Sequence, residues 1–152
     1  MSSEEKLKSL GLVLPKVPTP VANYVPFKVD GRTIYLSGQG PRKPDGSLYT
    51  GRVGEQVTVA EAYDYARLVG LGLLAAAKMA AGDLGKVEAL KLLGMVNAVP
   101  GFGEQPKVIN GCSDLFVEVL GERGRHARSA VGMGSLPNNM PVEIEAIMRI
   151  VD

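Results

Sequence analysis

The hydrophobic pattern predicts a β-hairpin near the N-terminus. Residues 33–37 alternate between apolar and polar side chains, with Ile34 and Leu36 on one face. Residues 23–29 also have strand character, and the intervening Asp30-Gly31 dipeptide is typical of tight hairpin turns. We therefore expect two antiparallel strands joined by a short turn.

A spacing of three and four residues between apolar positions predicts two longer helices. The first starts at Thr58, which opens a Thr-x-x-Glu capping box, runs to about Ala81 and is ended by Gly82. Its small apolar residues form a stripe suited to close packing on a sheet: Ala62, Ala66, Val69, Leu73, Ala76 and Ala80. The second helix begins near Pro106, which suits a first helical turn, and ends at Gly121.

The remaining elements complete the predicted architecture. Residues 3–10 predict a short amphipathic helix, and a proline-rich segment follows it. Residues 87–99 have strand character, with a helix as the competing interpretation because of their leucines. With two further strands at the C-terminus, the order predicts an α/β sandwich with helices on one sheet face. We expect a single domain over residues 1–152, in which residues 1–20 form a helical and proline-rich extension.

The two C-terminal strands carry opposite charges. Residues 127–132 present Arg128 among small neighbours, and residues 142–148 present Glu143 and Glu145 on one polar face. A short connection leads us to expect the arginine strand beside the carboxylate strand. Two interpretations stay open: a guanidinium that binds a substrate carboxylate near a carboxylate that handles water, or a surface arginine paired with Glu143 or Glu145.

Composition narrows the candidate chemistry. The single histidine, His126, excludes a His-rich metal site, so we expect no metal and a structural or solvated imidazole. The single cysteine, Cys112, is expected to be a buried, inert thiol, and it fits a reducing, cytoplasmic compartment without disulfides. The apolar stretch over residues 68–81 is too short and alanine-rich for a membrane span. A net charge of +1 and few aromatic residues argue against a nucleic-acid partner.

Several segments together carry a family resemblance. They are the run Ala127-Arg128-Ser129-Ala130-Val131, Leu136-Pro137, the run Val142-Glu143-Ile144-Glu145-Ala146-Ile147, Tyr24, the run Ile34-Tyr35-Leu36-Ser37-Gly38-Gln39, the turn Pro44-Asp45-Gly46, and Asn110. Over about Val21 to Val151 this combination resembles the Rid family of reactive intermediate deaminases, also called YjgF-like. The resemblance implies a chorismate-mutase-like (bacillus-type) sandwich, with one mixed sheet, two main helices on one face, and a homotrimer with sites in the clefts between subunits.

The resemblance also implies an activity. Catalytic members hydrolyse short-lived enamine and imine intermediates, such as 2-aminoacrylate and 2-iminopropionate, to 2-keto acids and ammonia, and they need no cofactor. By position, Arg128 would clamp the substrate carboxylate and Glu143 would place or activate the attacking water. The remaining positions would bind substrate: Tyr24, Ser37, Gly38, Asn110 and Ala130.

Two departures indicate a divergent subgroup. Ala130 stands where many members have cysteine, which we interpret as an altered pocket shape, and Arg125-His126 replaces the usual Phe-Pro. The N-terminal helix falls outside the resemblance. The alternative function is a non-catalytic trimer that binds small carboxylates or hydrophobic metabolites. Such a trimer differs from the enzyme in that it does not turn over a substrate. The endoribonuclease label attached to the family is the least favoured hypothesis.

Overall fold

The structure, a computed structural model, describes residues 1–19 and 22–152 of the chain. Within these residues the helices and strands follow in the order α1 (Ser3–Ser9), β1 (Phe27–Asp30), β2 (Thr33–Gln39), α2 (Val59–Ala81), β3 (Val87–Asn97), α3 (Gln105–Leu120), β4 (Ala127–Met133) and β5 (Val142–Ile150). Short 3₁₀ turns cover Leu84–Lys86, Gly121–Gly124 and Pro137–Asn139. The predicted end of the proline-rich extension, at Pro20, lies outside the described residues.

The strands form one mixed sheet in the order β1-β2-β5-β3-β4. Every neighbouring pair is antiparallel except β3 and β4, which are parallel. Helices α2 and α3 pack against each other and against one face of the sheet, where Ile34, Leu92 and Ile144 are fully buried. The opposite face exposes Tyr35 and Glu145. The predicted α/β sandwich with two main helices on one sheet face is therefore confirmed.

β3, α3 and β4 form a strand–helix–strand unit, and this unit places β4 beside β3. Strands joined through a helix run parallel, because the helix returns the chain to the end of the sheet where the first strand began. β3 consequently lies between β4 and β5. The prediction that the arginine strand and the carboxylate strand are neighbours is wrong.

β3 also decides between the two interpretations of residues 87–99. It is a strand from Val87 to Asn97, and it is hydrogen-bonded to β5 on one side and β4 on the other. Pairing with both neighbours gives hydrogen-bond partners to the backbone N–H and C=O groups of β3. The strand prediction is confirmed, and the helix alternative is wrong.

The N-terminal hairpin is shorter than the alternation predicted. Its first strand begins at Phe27 rather than at Asn23, because Pro26 has no N–H to donate to a ladder. The turn contains Gly31 at a φ of 61°, in the left-handed region that glycine adopts easily. Tyr24 therefore lies in the irregular segment that precedes the sheet.

Both long helices have the predicted ends. The hydroxyl of Thr58 accepts a hydrogen bond from the backbone N–H of Glu61, the Glu61 carboxylate accepts one from the backbone N–H of Thr58, and Gly82 ends α2 at a φ of 84°. Helix α3 begins at Gln105 with a proline in its first turn. In the described part of the chain, no helix is both long enough and apolar enough to cross a membrane.

Candidate functional site

One group of predicted site residues surrounds a cavity of about 280 Å³ where β2 ends and β5 begins. We call it the carboxylate pocket. Its lining includes Tyr24, Ser37, Gly38 and Glu143, which are four of the residues that the family resemblance singled out. Arg42, Leu48, Met140 and residues of the turn Pro137–Asn139 also belong to the wall.

Glu143 is the carboxylate of this pocket, and Gly38 makes room for it. A Cβ added at Gly38 would lie 3.3 Å from the carboxyl carbon of Glu143, so a larger residue there would push the carboxylate away. Glu143 is half-buried, and burial raises the pKa of its carboxyl group, with a further increase from the negative charge of Glu145. Glu145 shares the same sheet face but is exposed. The sequence pattern did not distinguish Glu143 from Glu145; of these two carboxylates, Glu143 lines the cavity.

Ser37 and Tyr24 form the side of the pocket next to β1. The Ser37 hydroxyl donates a hydrogen bond of 2.6 Å to the backbone carbonyl of Val25. Its proton is therefore engaged, and its oxygen is left to accept a hydrogen bond from a ligand. Tyr24 is 53% exposed, so its ring forms part of the rim rather than the floor.

A buried asparagine that the sequence analysis missed holds the opposite wall. The amide of Asn97, only 2% exposed, donates to the side-chain oxygen of Asn139 at 3.0 Å and to the carbonyl of Met140 at 3.2 Å. Asn138 and Asn139 both have a φ of 55°, a left-handed conformation that asparagine tolerates better than most residues. The amide thus ties the end of β3 to the turn that lines the carboxylate pocket. The Asn-Asn pair in the connection is the signal that could have predicted this turn.

A second group of residues surrounds Arg128, and we call it the arginine group. The guanidinium donates from Nη1 to the hydroxyl oxygen of Ser113 at 3.0 Å and from Nη2 to the carbonyl of Pro106 at 3.4 Å. Asn110 lies on the same face of α3, because it is four residues after Pro106 and three before Ser113. Asn110 is thus on the helix face that contacts Arg128, and the group also contains Ser113, which the sequence analysis did not single out.

His126 supports the arginine group through Ser113. Its Nδ1 lies 2.6 Å from the carbonyl oxygen of Gly124, so Nδ1 carries a proton, since a carbonyl can only accept. In the neutral ring Nε2 then accepts from the Ser113 hydroxyl at 2.9 Å. Ser113 donates to His126 and accepts from Arg128, which fixes the position of the guanidinium. The imidazole is half-buried and structural, one of the two alternatives predicted for it.

Ala130 belongs to the same side of the sheet as Arg128. It is two residues further along β4, is half-buried and packs against the core. Its partner in the parallel register is Gly94, where an added Cβ would lie 2.6 Å from the side chain of Ile109. Small residues at both positions let α3 approach the sheet closely beside the arginine group.

The carboxylate pocket and the arginine group lie on opposite faces of the sheet. Arg128 is in register with Leu92, which points under the helices, whereas Glu143 is in register with Met95 on the open face. The proposed pairing of Arg128 with Glu143 or Glu145 within one chain is wrong, because side chains on opposite faces cannot meet. Within one chain, the predicted site residues therefore form two separate halves.

Neither half contains a recognisable metal site or a reactive thiol. Among residues 1–19 and 22–152, no three His, Cys, Asp or Glu side chains cluster in a way that could hold a metal ion. Cys112 is fully buried in α3, and burial raises the pKa of its thiol, which opposes thiolate formation. The candidate chemistry thus rests on a guanidinium, a carboxylate and hydroxyl or amide groups.

Comparisons with known proteins agree on one family. A family model described as "YjgF/chorismate_mutase-like, putative endoribonuclease" matches residues 4–145, so all of α1 except Ser3 falls within the match, although the resemblance left this helix out. The chain is 40% identical to "Protein TCP17" of Trypanosoma cruzi over 146 residues, covering 95% of this chain and 91% of that protein.

Solved structures give the same result. A protein of unknown function from Agrobacterium tumefaciens is 50% identical, with a TM-score of 0.88 over 97% of this chain and 91% of its own. A "putative endoribonuclease" of Shewanella oneidensis is 34% identical, with a TM-score of 0.94 over 99% and 100%. A RidA from an Antarctic Psychrobacter species is 29% identical, with a TM-score of 0.62 over 89% and 94%. The solved structures that resemble this chain include both a RidA and a protein named as a putative endoribonuclease. The chain belongs to the YjgF/chorismate mutase-like family.

Proposed function

We propose that the protein hydrolyses reactive enamine and imine intermediates of the 2-aminoacrylate/2-iminopropionate type, at a site that two subunits of a homotrimer complete together. The observation that carries the proposal is the division of the site residues into two halves on opposite sheet faces. Among the residues that the structure describes, the contacts of Arg128 include no carboxylate, and no cation is hydrogen-bonded to Glu143; Arg42, which also lines the carboxylate pocket, donates to the carbonyl of Gly46 instead. Joining the halves of two copies would bring these groups to one cleft.

Arg128 has donors to spare for a substrate. Its contacts with Ser113 and Pro106 use two of five N–H groups. The others are available for a bidentate pair with a carboxylate, which orients the substrate as well as binding it. Asn110 on the same helix face would add an amide beside this anion.

Glu143 has the character expected of a group that moves protons. As a base it would accept a proton from a water molecule whose oxygen adds to the imine carbon, and the imine nitrogen would take up a proton. Breaking the C–N bond of the resulting carbinolamine then releases ammonia and leaves the 2-keto acid. Burial holds the pKa of Glu143 above its ordinary value, which brings its proton affinity closer to that needed near neutrality. The imine carbon is already electrophilic, so orientation and a placed water can supply much of the acceleration.

The first experiment measures the lifetime of the imine. An amino-acid oxidase generates 2-iminopropionate in place, and semicarbazide traps whatever has not yet hydrolysed. The wild-type protein should reduce the trapped product, and Arg128→Ala should not. Arg125→Ala is the matched control, because Arg125 is exposed and pairs with Glu122 rather than with the site. Hydrolysis at the uncatalysed rate with wild-type protein, over a panel of side chains, would contradict the enzymatic function.

A second experiment tests whether two chains share the site. Equal amounts of Arg128→Ala and Glu143→Gln chains are mixed under conditions that allow subunit exchange. If each site takes its arginine from one chain and its carboxylate from another, about a quarter of the sites are intact and activity returns to about a quarter of the wild-type value. A site contained in one chain would recover none. Sedimentation of the mixed and unmixed proteins measures whether the assembly is a trimer.

The same variants separate the alternative functions. Binding of pyruvate to the wild type but not to Arg128→Ala, without any change in imine lifetime, would favour the carboxylate-binding trimer. Cleavage of RNA that is lost in Arg128→Ala and weakens with salt would favour the endoribonuclease.

A further inference from the structure

A second cavity adjoins the carboxylate pocket and extends to helix α2, on the helix-covered side of the sheet. Its volume is about 710 Å³, against about 280 Å³ for the carboxylate pocket. One wall is the extended segment 13–19, another is the loop after β2, and the floor is the exposed side of α2. We call it the N-terminal cavity. Its volume falls within the range of pockets that bind small organic ligands.

The extended segment is held in place as a wall. Leu12, Leu14 and Val17 pack against the hydrophobic core, whereas Val13 is 84% exposed and faces the cavity. Leu68 of α2, 37% exposed, also lines the cavity. Two large apolar side chains are therefore left partly open to solvent at the same place, as expected of a surface that receives an apolar ligand.

The charged side chains that line the N-terminal cavity are all positive. They are Lys16, Arg42 and Lys43, and no acidic residue belongs to the lining among the described residues. Asp45 is close in sequence, but its carboxylate accepts hydrogen bonds from both the backbone and the hydroxyl of Ser47. Because the net charge of the chain is only +1, this positive cavity is a local feature rather than a consequence of overall charge.

Two of these cations are already positioned. Arg42 donates from Nη1 to the carbonyl of Gly46 at 2.7 Å, which fixes the loop and leaves its other N–H groups for an anion. The ammonium group of Lys43 lies 5.4 Å from the ring centre of Tyr49, which in turn stacks on Tyr65 with 4.6 Å between ring centres. An anionic group can thus meet cations at the edge of an apolar cavity.

We propose that the N-terminal cavity binds a small amphipathic anion, a molecule with a carboxylate or similar acidic group and an apolar body. The apolar body lies against Val13 and Leu68, and the acidic group is held by the three cations of the lining, Lys16, Arg42 and Lys43. The cavity and the carboxylate pocket share lining residues, among them Thr19, Gln39 and Gly40, so an occupant of one lies next to the other. The proposal does not require the deaminase reaction, because binding is measured directly.

The test uses two probes of equal length and opposite charge, decanoate and decylammonium, titrated calorimetrically into the full-length protein near neutral pH. Decanoate should bind and decylammonium should not. The variant Lys16→Gln/Lys43→Gln should weaken decanoate binding about tenfold, since each partly exposed ion pair contributes a modest amount. Leu68→Glu should weaken it at least as much, because it places a negative charge on the apolar wall.

Matched controls make the result decisive. Lys8→Gln/Lys86→Gln removes the same charge at two exposed lysines outside the lining and should leave the affinity unchanged. Circular dichroism verifies that each variant is folded. Equal affinity for both probes, no binding of decanoate, or the same affinity in every variant would each overturn the proposal. Loss of imine hydrolysis in Arg128→Ala with unchanged decanoate binding would show that the two sites are independent.

Discussion

At Gly111 the backbone of α3 lies directly against the backbone of α2, and replacing this glycine tests the packing that places the arginine group. A Cβ at Gly111 would overlap the backbone carbonyl oxygen of Tyr63 and would lie 2.9 Å from the carbonyl carbon of the same residue. It would also lie 3.1 Å from the amide nitrogen of Arg67. These are backbone atoms in the middle of a helix, so they cannot rotate away. Gly111→Ala therefore forces the helices apart by about 1 Å to restore ordinary contact distances.

The expected loss follows from two opposing effects. Overpacking a rigid contact costs about 3 kcal/mol, at the upper end of the usual range. Alanine in place of glycine in a helix returns about 1 kcal/mol. Gly111→Ala should therefore lower the free energy of unfolding by about 2 kcal/mol, which corresponds to a fall in melting temperature of about 4–8 °C for a chain of this size.

The assay is urea unfolding followed by circular dichroism, with thermal melts at one fixed protein concentration because assembly would make the melting temperature depend on concentration. Gly103→Ala is the matched control: nothing lies within 4 Å of the added Cβ, and Gly103 has no positive φ. It should change stability by no more than about 0.5 kcal/mol. Gly70→Ala should fall between the two, because its closest neighbour, at 2.9 Å, is a methyl group of Leu115 that can move. A Gly111→Ala protein as stable as the Gly103→Ala control would refute the reasoning.

Three further predictions concern the site. Ser113→Ala removes a hydrogen bond to the guanidinium of Arg128, and should raise KM for the imine about tenfold with a smaller effect on kcat; an unchanged KM in the trapping assay would contradict this role. Glu145→Gln removes the repulsion that helps to raise the pKa of Glu143. Because the ionised base is lost as pH falls through that raised pKa, the acidic limb of the kcat/KM profile should move to lower pH, and a shift to higher pH would contradict the assignment. Cys112 should resist a thiol reagent in the native protein and react on unfolding, whereas rapid labelling without denaturant would show that α3 opens.

Local chemistry was sufficient to predict most of the elements. The capping box at Thr58 and the glycine at residue 82 determined the ends of α2, because both act through hydrogen bonds within a few residues. Strict alternation likewise predicted which face of β2 is buried. The predicted start of the hairpin was wrong, because residues 23–29 have strand propensity but Pro26 lacks the N–H that a ladder needs, so β1 begins at Phe27.

The order of the strands was the harder problem, since it depends on contacts far apart in sequence. The sequence suggested that β4 and β5 pair because a short connection joins them. The stronger constraint was the helix between β3 and β4, which makes those two strands parallel neighbours and leaves β5 to pair with the other edge of β3. A strand–helix–strand pattern was visible in the predicted elements, and applying the crossover rule to it would have separated the arginine from the carboxylates.

The same error explains why the site could be predicted by residue but not by geometry. Arg128 and Glu143 were assigned from the family resemblance, which does not say whether their two strands present them on the same face of the sheet. Packing also decides which carboxylate is half-buried: Gly38 lies against Glu143, within the change of register between Leu36 and Gln39 of β2, whereas Glu145 is exposed. Each face holds half of the predicted chemistry, so under the proposed function arginine and carboxylate act on one substrate only in a pair of chains. Loss of assembly should therefore abolish imine hydrolysis even when every chain is folded, and a folded monomeric variant with full activity would disprove the shared site.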